Sequence, residues 1–229
     1  MTVPKVLLLS HILDCKSPSY GNRDKFSIEC NSLISQGDSA NSSRWVFSSN
    51  HLGTHIDMPN HFNELGKKSF EIPFNEYLFD NVLLVDIPCY EARLINSSDF
   101  SAINILNANA IELLLIRTGY EQYRKAVKYW KDNPGLAVEL ANYFRLQFPY
   151  LRCVGFDFIS LTSWKFREEG RDSHRAFLSP VCGTKEILVI EDMALSQVMG
   201  PINRVIVAPI FVEDGNGGPV TIFAEMNSQ

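Results

Sequence analysis

The chain has 229 residues, 45% of them apolar, and a formal net charge of -5, which predicts one sizeable core in a packed globular fold. No Lys/Arg cluster accompanies the acidic balance and no apolar run is long enough to span a bilayer, so neither nucleic acid nor membrane is expected as a partner. Five cysteines, Cys15, Cys30, Cys89, Cys153 and Cys182, lie at wide spacings with no C-x-x-C pair, which predicts buried or half-buried reduced thiols in a cytoplasmic protein.

In chain order, residues 6–10 form a compact apolar run that reads as a first strand, not a secretory leader, because it lacks a basic lead and a small-residue cleavage site. His11 stands alone on an apolar stretch and reads as a satisfied structural histidine. Residues 17–22 are rich in turn formers and place Tyr20 on a loop. The polar residues 34–44 predict a mobile loop, either a lid or a plain connection. Residues 45–50 then read as a strand that delivers the chain to His51.

The stretch from His51 to His61 holds three of the five histidines and reads H-x3-H-x-D-x3-H. His51, His55, Asp57 and His61 thereby offer imidazole nitrogen and carboxylate oxygen, a donor set suited to zinc, manganese or iron. All four share one parity, so an extended backbone would direct them to one face. His55 and Asp57 would then be roughly 6.6 Å apart at Cα, close enough to chelate one ion, whereas His51 would lie roughly 13 Å from His55. A bend is therefore required between them, and Gly53 sits where it is needed. Pro59 argues against a helical H-E-x-x-H type of site.

Further on, residues 82–87 and 112–117 read as buried strands, 98–106 as a short helix capped at Ser97 or Ser98, 120–131 and 136–148 as helices, and 151–160 as a strand. Residues 186–191, 204–212 and 220–226 read as closing strands, the last two joined by the turn Asp214-Gly-Asn-Gly-Gly-Pro219. Alternation of strand and helix implies crossovers, hence a single α/β domain over residues 1–229 with a mixed, partly parallel sheet flanked by helices. His174 is the remaining histidine. Residues 187–193 end an apolar strand in adjacent carboxylates that need a cationic partner if buried.

The run HLGTHIDMPNHF resembles the signature of the metal-dependent cyclase family, which includes bacterial kynurenine formamidases and isatin hydrolases. Arg117-Thr-Gly-Tyr120, Pro134-Gly-Leu136, Gly155-Phe-Asp157 and residues 208–220 follow in the family order. The resemblance implies a swivelling β/β/α fold and a site of one or two Zn²⁺ or Mn²⁺ ions. His51, His55 and Asp57 would be metal ligands, with His174 and Glu191 completing a two-metal site. His174 and Glu191 are seventeen residues apart, longer than the resemblance implies, which leaves Glu186 as a rival. His61 would shuttle protons, the alternative being a further ligand, and Tyr20 would contact substrate, the alternative being loop packing. Asp157 would either support a ligating histidine or cap a turn, while Asp192 reads as a helix-start or surface residue.

The implied activity is hydrolysis of a small amide, above all an aryl formamide such as N-formylkynurenine. The alternatives are opening of a lactam or lactone of the isatin type and a metal- or ligand-binding module without turnover. Tyr20, Trp45, Phe62 and Trp164 would supply aromatic surface. A homodimer or higher homo-oligomer is expected from the resemblance.

Overall fold

Leu113 to Ile116 is an unbroken apolar run, and on a strand its alternate side chains must leave in opposite directions. In the computed structural model of the chain, which describes residues 5–101, 103, 108–179 and 184–226, each direction meets a core. Leu113 and Leu115 pack with Ile56, Ile190, Val205 and Ile222, whereas Leu114 and Ile116 pack with Tyr129, Leu140, Phe144 and Phe177.

The strands are β1 (Lys5–Leu8), β2 (Phe26–Ser32), β3 (Ser42–Phe47), β4 (His55–Asp57), β5 (Leu78–Phe79), β6 (Val82–Asp86), β7 (Leu94–Ile95), β8 (Leu113–Arg117), β9 (Gly135–Leu136), β10 (Cys153–Phe156), β11 (Leu188–Glu191), β12 (Ile202–Pro209) and β13 (Gly217–Met226). The α-helices are α1 (Lys128–Lys131), α2 (Glu139–Gln147) and α3 (Arg167–Leu178), with short 3₁₀ turns between elements. The main sheet runs β5-β12-β13-β4-β11-β10-β8-β6. Its β6, β8, β10 and β11 are parallel and the remaining pairs antiparallel. β5 and β6, the two ends of this path, are separated in sequence only by Asp80 and Asn81, so the sheet curls toward closure. β13 uses Gly217 to Pro219 to pair with β4, and Phe223 to Met226 to pair with β1.

The mixed, partly parallel α/β sheet is as expected, but several elements differ. β6 lies at the end of the path, so Val82, Leu83 and Leu84 are only half-buried instead of covered on both faces. Residues 120–131 do not form one helix: a 3₁₀ turn at Tyr120–Tyr123 and the single turn α1 replace it, and the buried Tyr120 hydroxyl donates to the Asp132 carbonyl. Gly135 and Leu136 pair with β7 before α2 begins. The 3₁₀ turn Ser97–Phe100 is capped by Asn96, whose side chain accepts from Ser98 N, and residues 102 and 104–106 of the expected helix lie outside the described residues. Residues 34–41 are a connecting loop, as expected, at the tip of the antiparallel β2/β3 hairpin, while 42–44 already belong to β3; the hairpin leaves Ile28 and Trp45 exposed. α3 was not expected at all. Cys15 and Cys30 are exposed, Cys89 and Cys153 are buried, and all four are free; Cys182 lies outside the described residues. The His11 Nε2 is buried without a hydrogen-bond partner, 4.0 Å from Glu121 Oε1, so the ring is not satisfied at that nitrogen. No helix among the described residues is long and apolar enough to cross a membrane.

One corner of the sheet departs most from expectation. Asp192, directly after β11, is fully buried rather than at the surface, and its backbone has φ +55°, a left-handed conformation unusual for a non-glycine residue. Arg124 grips its carboxylate with Nε at 2.9 Å and Nη2 at 2.8 Å, and the Tyr129 hydroxyl donates to it as well. The Asp192 carbonyl accepts from Thr54 Oγ1, which ties the end of β11 to the start of β4. Removing one partner of such a buried pair costs about 3–5 kcal/mol. Arg124→Met is therefore expected to lower stability by that amount in urea unfolding. A loss of only about 0.5 kcal/mol, typical of a surface change, would show that the pair does not hold this corner.

Candidate metal centre

His55 and Asp57 are the two ends of β4, so the period of a strand places both side chains on one face. In the pairing of β4 with β11, Glu191 stands opposite His55. His51 reaches the same point because the chain bends at Gly53, which has φ +68°; the expectation of a bend there holds. The shared-parity reading holds only for His55 and Asp57, since β4 is three residues long and His61 arrives through a 3₁₀ turn that starts at Pro59. A second glycine makes room for the cluster: a Cβ on Gly217 would lie 2.6 Å from the Ile56 carbonyl oxygen and 2.7 Å from His51 Cε1. His174 comes from α3.

The five side chains converge. His51 Nδ1 is 2.7 Å from Asp57 Oδ1, and His55 Nε2 is 3.5 Å from Asp57 Oδ1 and 3.3 Å from Glu191 Oε2. His174 Nε2 lies 3.6 Å from Asp57 Oδ2 and 3.4 Å from Glu191 Oε1. Each imidazole is aimed by its far nitrogen. His55 Nδ1 donates to the Gly53 carbonyl at 2.8 Å and His174 Nδ1 to the Gly170 carbonyl at 2.9 Å, leaving each Nε2 lone pair turned inward. His51 is held at Nε2 by Asn216 Oδ1 at 3.1 Å. Glu191 Oε1 also accepts from Leu161 N at 2.7 Å and Ser160 Oγ at 3.2 Å. Glu186 stands apart, paired with Lys67 at 3.6 Å.

Asp57, Glu191, His55 and His174 are all buried, and among the described residues neither carboxylate has a Lys or Arg partner. Burial opposes the charge on Glu191, and Asp57 opposes it further, yet the hydrogen bonds from His174 and His55 hold its pKa down to about 2. Burial likewise opposes ionisation of Asp57, but the imidazoles of His61 and His51 beside it keep it well below the usual carboxylate range. His55 and His174 are pushed the other way. Burial works against their charged forms, but Glu191 and Asp57 raise His55 to about 9, and Asp57 and Glu191 raise His174 to about 10. The cluster is therefore built to hold positive charge, as protons or as a metal cation. The donor spacing fits a cation: two ligand atoms each about 2.1 Å from one ion in tetrahedral geometry are about 3.4 Å apart. Two overlapping triads could serve, His55-Asp57-Glu191 and His51-Asp57-His61, with Asp57 common to both.

A cavity of about 380 Å³ opens over this cluster, lined in part by Tyr20, Arg23, His61, Phe62 and Arg167. Phe62 stacks on His174 at 4.6 Å and His61 on His51 at 3.9 Å. Burial, the largest influence, lowers His61 to about 4, so it is neutral near pH 7. The Tyr20 hydroxyl is buried without a hydrogen-bond partner, and its ring meets Trp164 edge-on at 5.2 Å. Trp45 does not take part, being exposed on the β2/β3 hairpin. Asp157 is a cap and not a support for a site histidine: it accepts from Thr118 N at 2.8 Å, Thr118 Oγ1 at 2.6 Å and Gly119 N at 2.8 Å, while burial pushes its pKa to about 6. The sequence reading missed Asn216, the carbonyls of Gly53 and Gly170, and the cavity arginines. Asn216 lies within the turn before β13, but nothing in that turn marks it as a partner of His51.

An α/β sheet with a buried cluster of three imidazoles and two carboxylates defines a class of metal-site proteins, and the comparisons narrow it. The Cyclase family model, described as "Putative cyclase", matches residues 7–162. The chain belongs to this family. The match spans His51 to His61, while His174 and Glu191 lie beyond it and join the cluster through the fold. A kynurenine formamidase of Bacillus cytotoxicus is 28% identical over 200 residues, 85% of each chain. An uncharacterized protein of Haemophilus influenzae is 30% identical over 111 residues, 48% of this chain and 78% of its own. Isatin hydrolase A from Labrenzia aggregata has a TM-score of 0.79 at 18% identity, over 98% of this chain and 94% of that one. A structure described as a potential metal-dependent hydrolase with cyclase activity has a TM-score of 0.74 at 21% identity, over 99% of this chain and 100% of that one. At these identities the two structures establish a common fold.

The raised imidazoles give a signed pH dependence. In chelator-treated protein, protonated His55 and His174 contribute stability that is complete below their unfolded value of roughly 6.5 and is lost as pH rises through about 9 and about 10. The melting temperature of the metal-free protein is therefore expected to fall between neutral pH and pH 10 more steeply than that of protein loaded with zinc or manganese. Parallel pH profiles for the two forms would show that these imidazoles do not share their position with a metal.

Proposed function

We propose that the chain is a metal-dependent hydrolase of small amides, with an aryl formamide such as N-formylkynurenine as the best single substrate class. The observation that carries this reading is the buried His/Asp/Glu cluster with its inward lone pairs at the floor of an open cavity, beside the neutral His61. The kynurenine formamidase relative, which matches over most of both chains, supports the choice of substrate. His51, His55, Asp57, His174 and Glu191 would hold one or two Zn²⁺ or Mn²⁺ ions through nitrogen and oxygen donors. When bound, such an ion acidifies water and polarises a carbonyl.

The remaining work falls to the chain itself. His61, neutral because it is buried, takes a proton from the attacking water at a ring nitrogen and gives it to the leaving nitrogen as the carbon-nitrogen bond breaks, so that formate and an aryl amine are released. Its low pKa makes the protonated ring a ready donor. Asn216 keeps His51 turned toward Asp57, and Phe62, stacked on His174, fixes that ring. Tyr20 would lie along the substrate with its edge against Trp164.

Formamide hydrolysis should be abolished by chelation and restored by zinc or manganese. His61→Ala is expected to keep wild-type metal content while turnover falls about 10²–10⁴-fold, the usual contribution of a general acid-base. His55→Ala and Asp57→Ala are expected to lose the metal instead. Loss of metal from His61→Ala would make His61 a ligand, and equal metal content in all variants would sink the ligand assignments. Opening of isatin without formamide turnover would move the substrate to cyclic amides.

A further inference from the structure

The cavity wall carries positive charge that the cleavage step itself does not use. Arg23, Arg167 and Arg171 all line the space over the cluster, although the chain as a whole is acidic. Residues 167, 171 and 174 fall on one face of α3, so the helix that brings His174 to the floor also brings two guanidinium groups to the wall. Arg167 is at the first helical position, where the helix dipole disfavours a cation. Arg171 is engaged by Glu168 at 3.0 Å. Among the described residues, Arg23 and Arg167 have no carboxylate within ion-pair distance. The Arg167 guanidinium instead sits over the Trp164 ring, 4.7 Å from its centroid, a cation–π contact that holds it at the wall. The Tyr20 hydroxyl, which makes no other hydrogen bond, stands beside Arg167 and near Arg23. The acidic groups of the cavity do not balance this wall. Asp57 and Glu191 belong to the cation cluster, and Asp24, whose carboxylate accepts from Ser48 Oγ at 3.4 Å, is a single charge.

We propose that the ligand of this cavity carries an oxyanion, a carboxylate or a phosphate, that is held by the guanidinium groups of Arg23 and Arg167 at the wall while its cleavable group faces the metal-type cluster. A planar fork of N–H donors suits either oxyanion. The proposal rests on the hydrolase reading for what is cleaved but not for what is bound.

The test measures binding of benzoate, phenyl phosphate and neutral benzamide by calorimetry, to metal-loaded and to chelator-treated protein. Wild type and the variants Arg167→Gln, Arg23→Gln and Arg167→Lys are compared, each checked for folding by its melting curve. One anion is expected to bind about ten- to hundredfold more tightly than benzamide, the usual effect of charge-assisted hydrogen bonds, in both metal states, and the identity of that anion separates carboxylate from phosphate. The ratio should collapse toward one in the Gln variants and recover in part in Arg167→Lys. An anion preference that disappears with the metal would put the anion on the ion instead and overturn the proposal, as would a ratio indifferent to both arginines. If 4-formamidobenzoate and formanilide are both left uncleaved while the arginine-dependent preference persists, the hydrolase reading fails and the anion site stands.

Discussion

Two carboxylates, Asp57 and Glu191, are buried side by side in the middle of a sheet with no Lys or Arg, among the described residues, to neutralise them. Ionised groups so placed are strongly destabilising unless paired, and much of the surrounding structure can be understood as answering that constraint. Three imidazoles turn one ring nitrogen toward the carboxylates, and their outward nitrogens are occupied by the Gly53 and Gly170 carbonyls and by Asn216. An acceptor facing an acceptor is tolerable only if a proton or a metal cation lies between them. The same arrangement thus accounts for the raised imidazoles, the lowered carboxylates and the suitability of the cluster for metal.

The geometry of the cluster is inherited from β4 and β11, whose antiparallel pairing sets His55 opposite Glu191. That pairing is held at one end by a second buried charge network. Asp192 turns the chain sharply after Glu191, and Arg124, Tyr129 and Thr54 hold it in this unfavourable backbone conformation. Glu191 and Asp192 are adjacent in sequence, yet one faces the metal-type cluster and the other a guanidinium in the opposite direction. On the cavity side, α3 joins floor to wall, since one helical face presents His174 to the cluster and Arg167 and Arg171 to the opening. Cleavage chemistry and ligand charge preference would then be set by the same short helix.

Local patterns were legible where a residue acts within a few positions of its neighbours. Leu113 to Ile116 reads as a doubly buried strand and is one, and the bend at Gly53 follows from the distance that His51 must cover. Extended reasoning failed at His61, because Pro59 starts a 3₁₀ turn that ends the strand parity. It failed also for residues 120–131, where a helical pattern is broken so that Tyr120 and Tyr129 can both enter the core. α3 escaped notice because its sequence, with two Glu, three Arg and a Gly, carries only a narrow apolar face. Asp192 looked like a surface residue because its partner Arg124 is far away in sequence.

By itself the sequence determined the chemistry available: His51, His55, Asp57 and His61 within one short segment supply metal-type donors whatever the fold, because their spacing keeps them within reach of one another. Strand alternation and apolar runs likewise determined a mixed α/β sheet. Only the tertiary structure decided that Glu191 and not Glu186 joins them, that His174 arrives on a helix, that Asn216 aims His51, and that two arginines with no acidic partner among the described residues overlook the result. These are contacts between residues distant in the chain, and strand register and helix packing, which no local pattern encodes, bring them together.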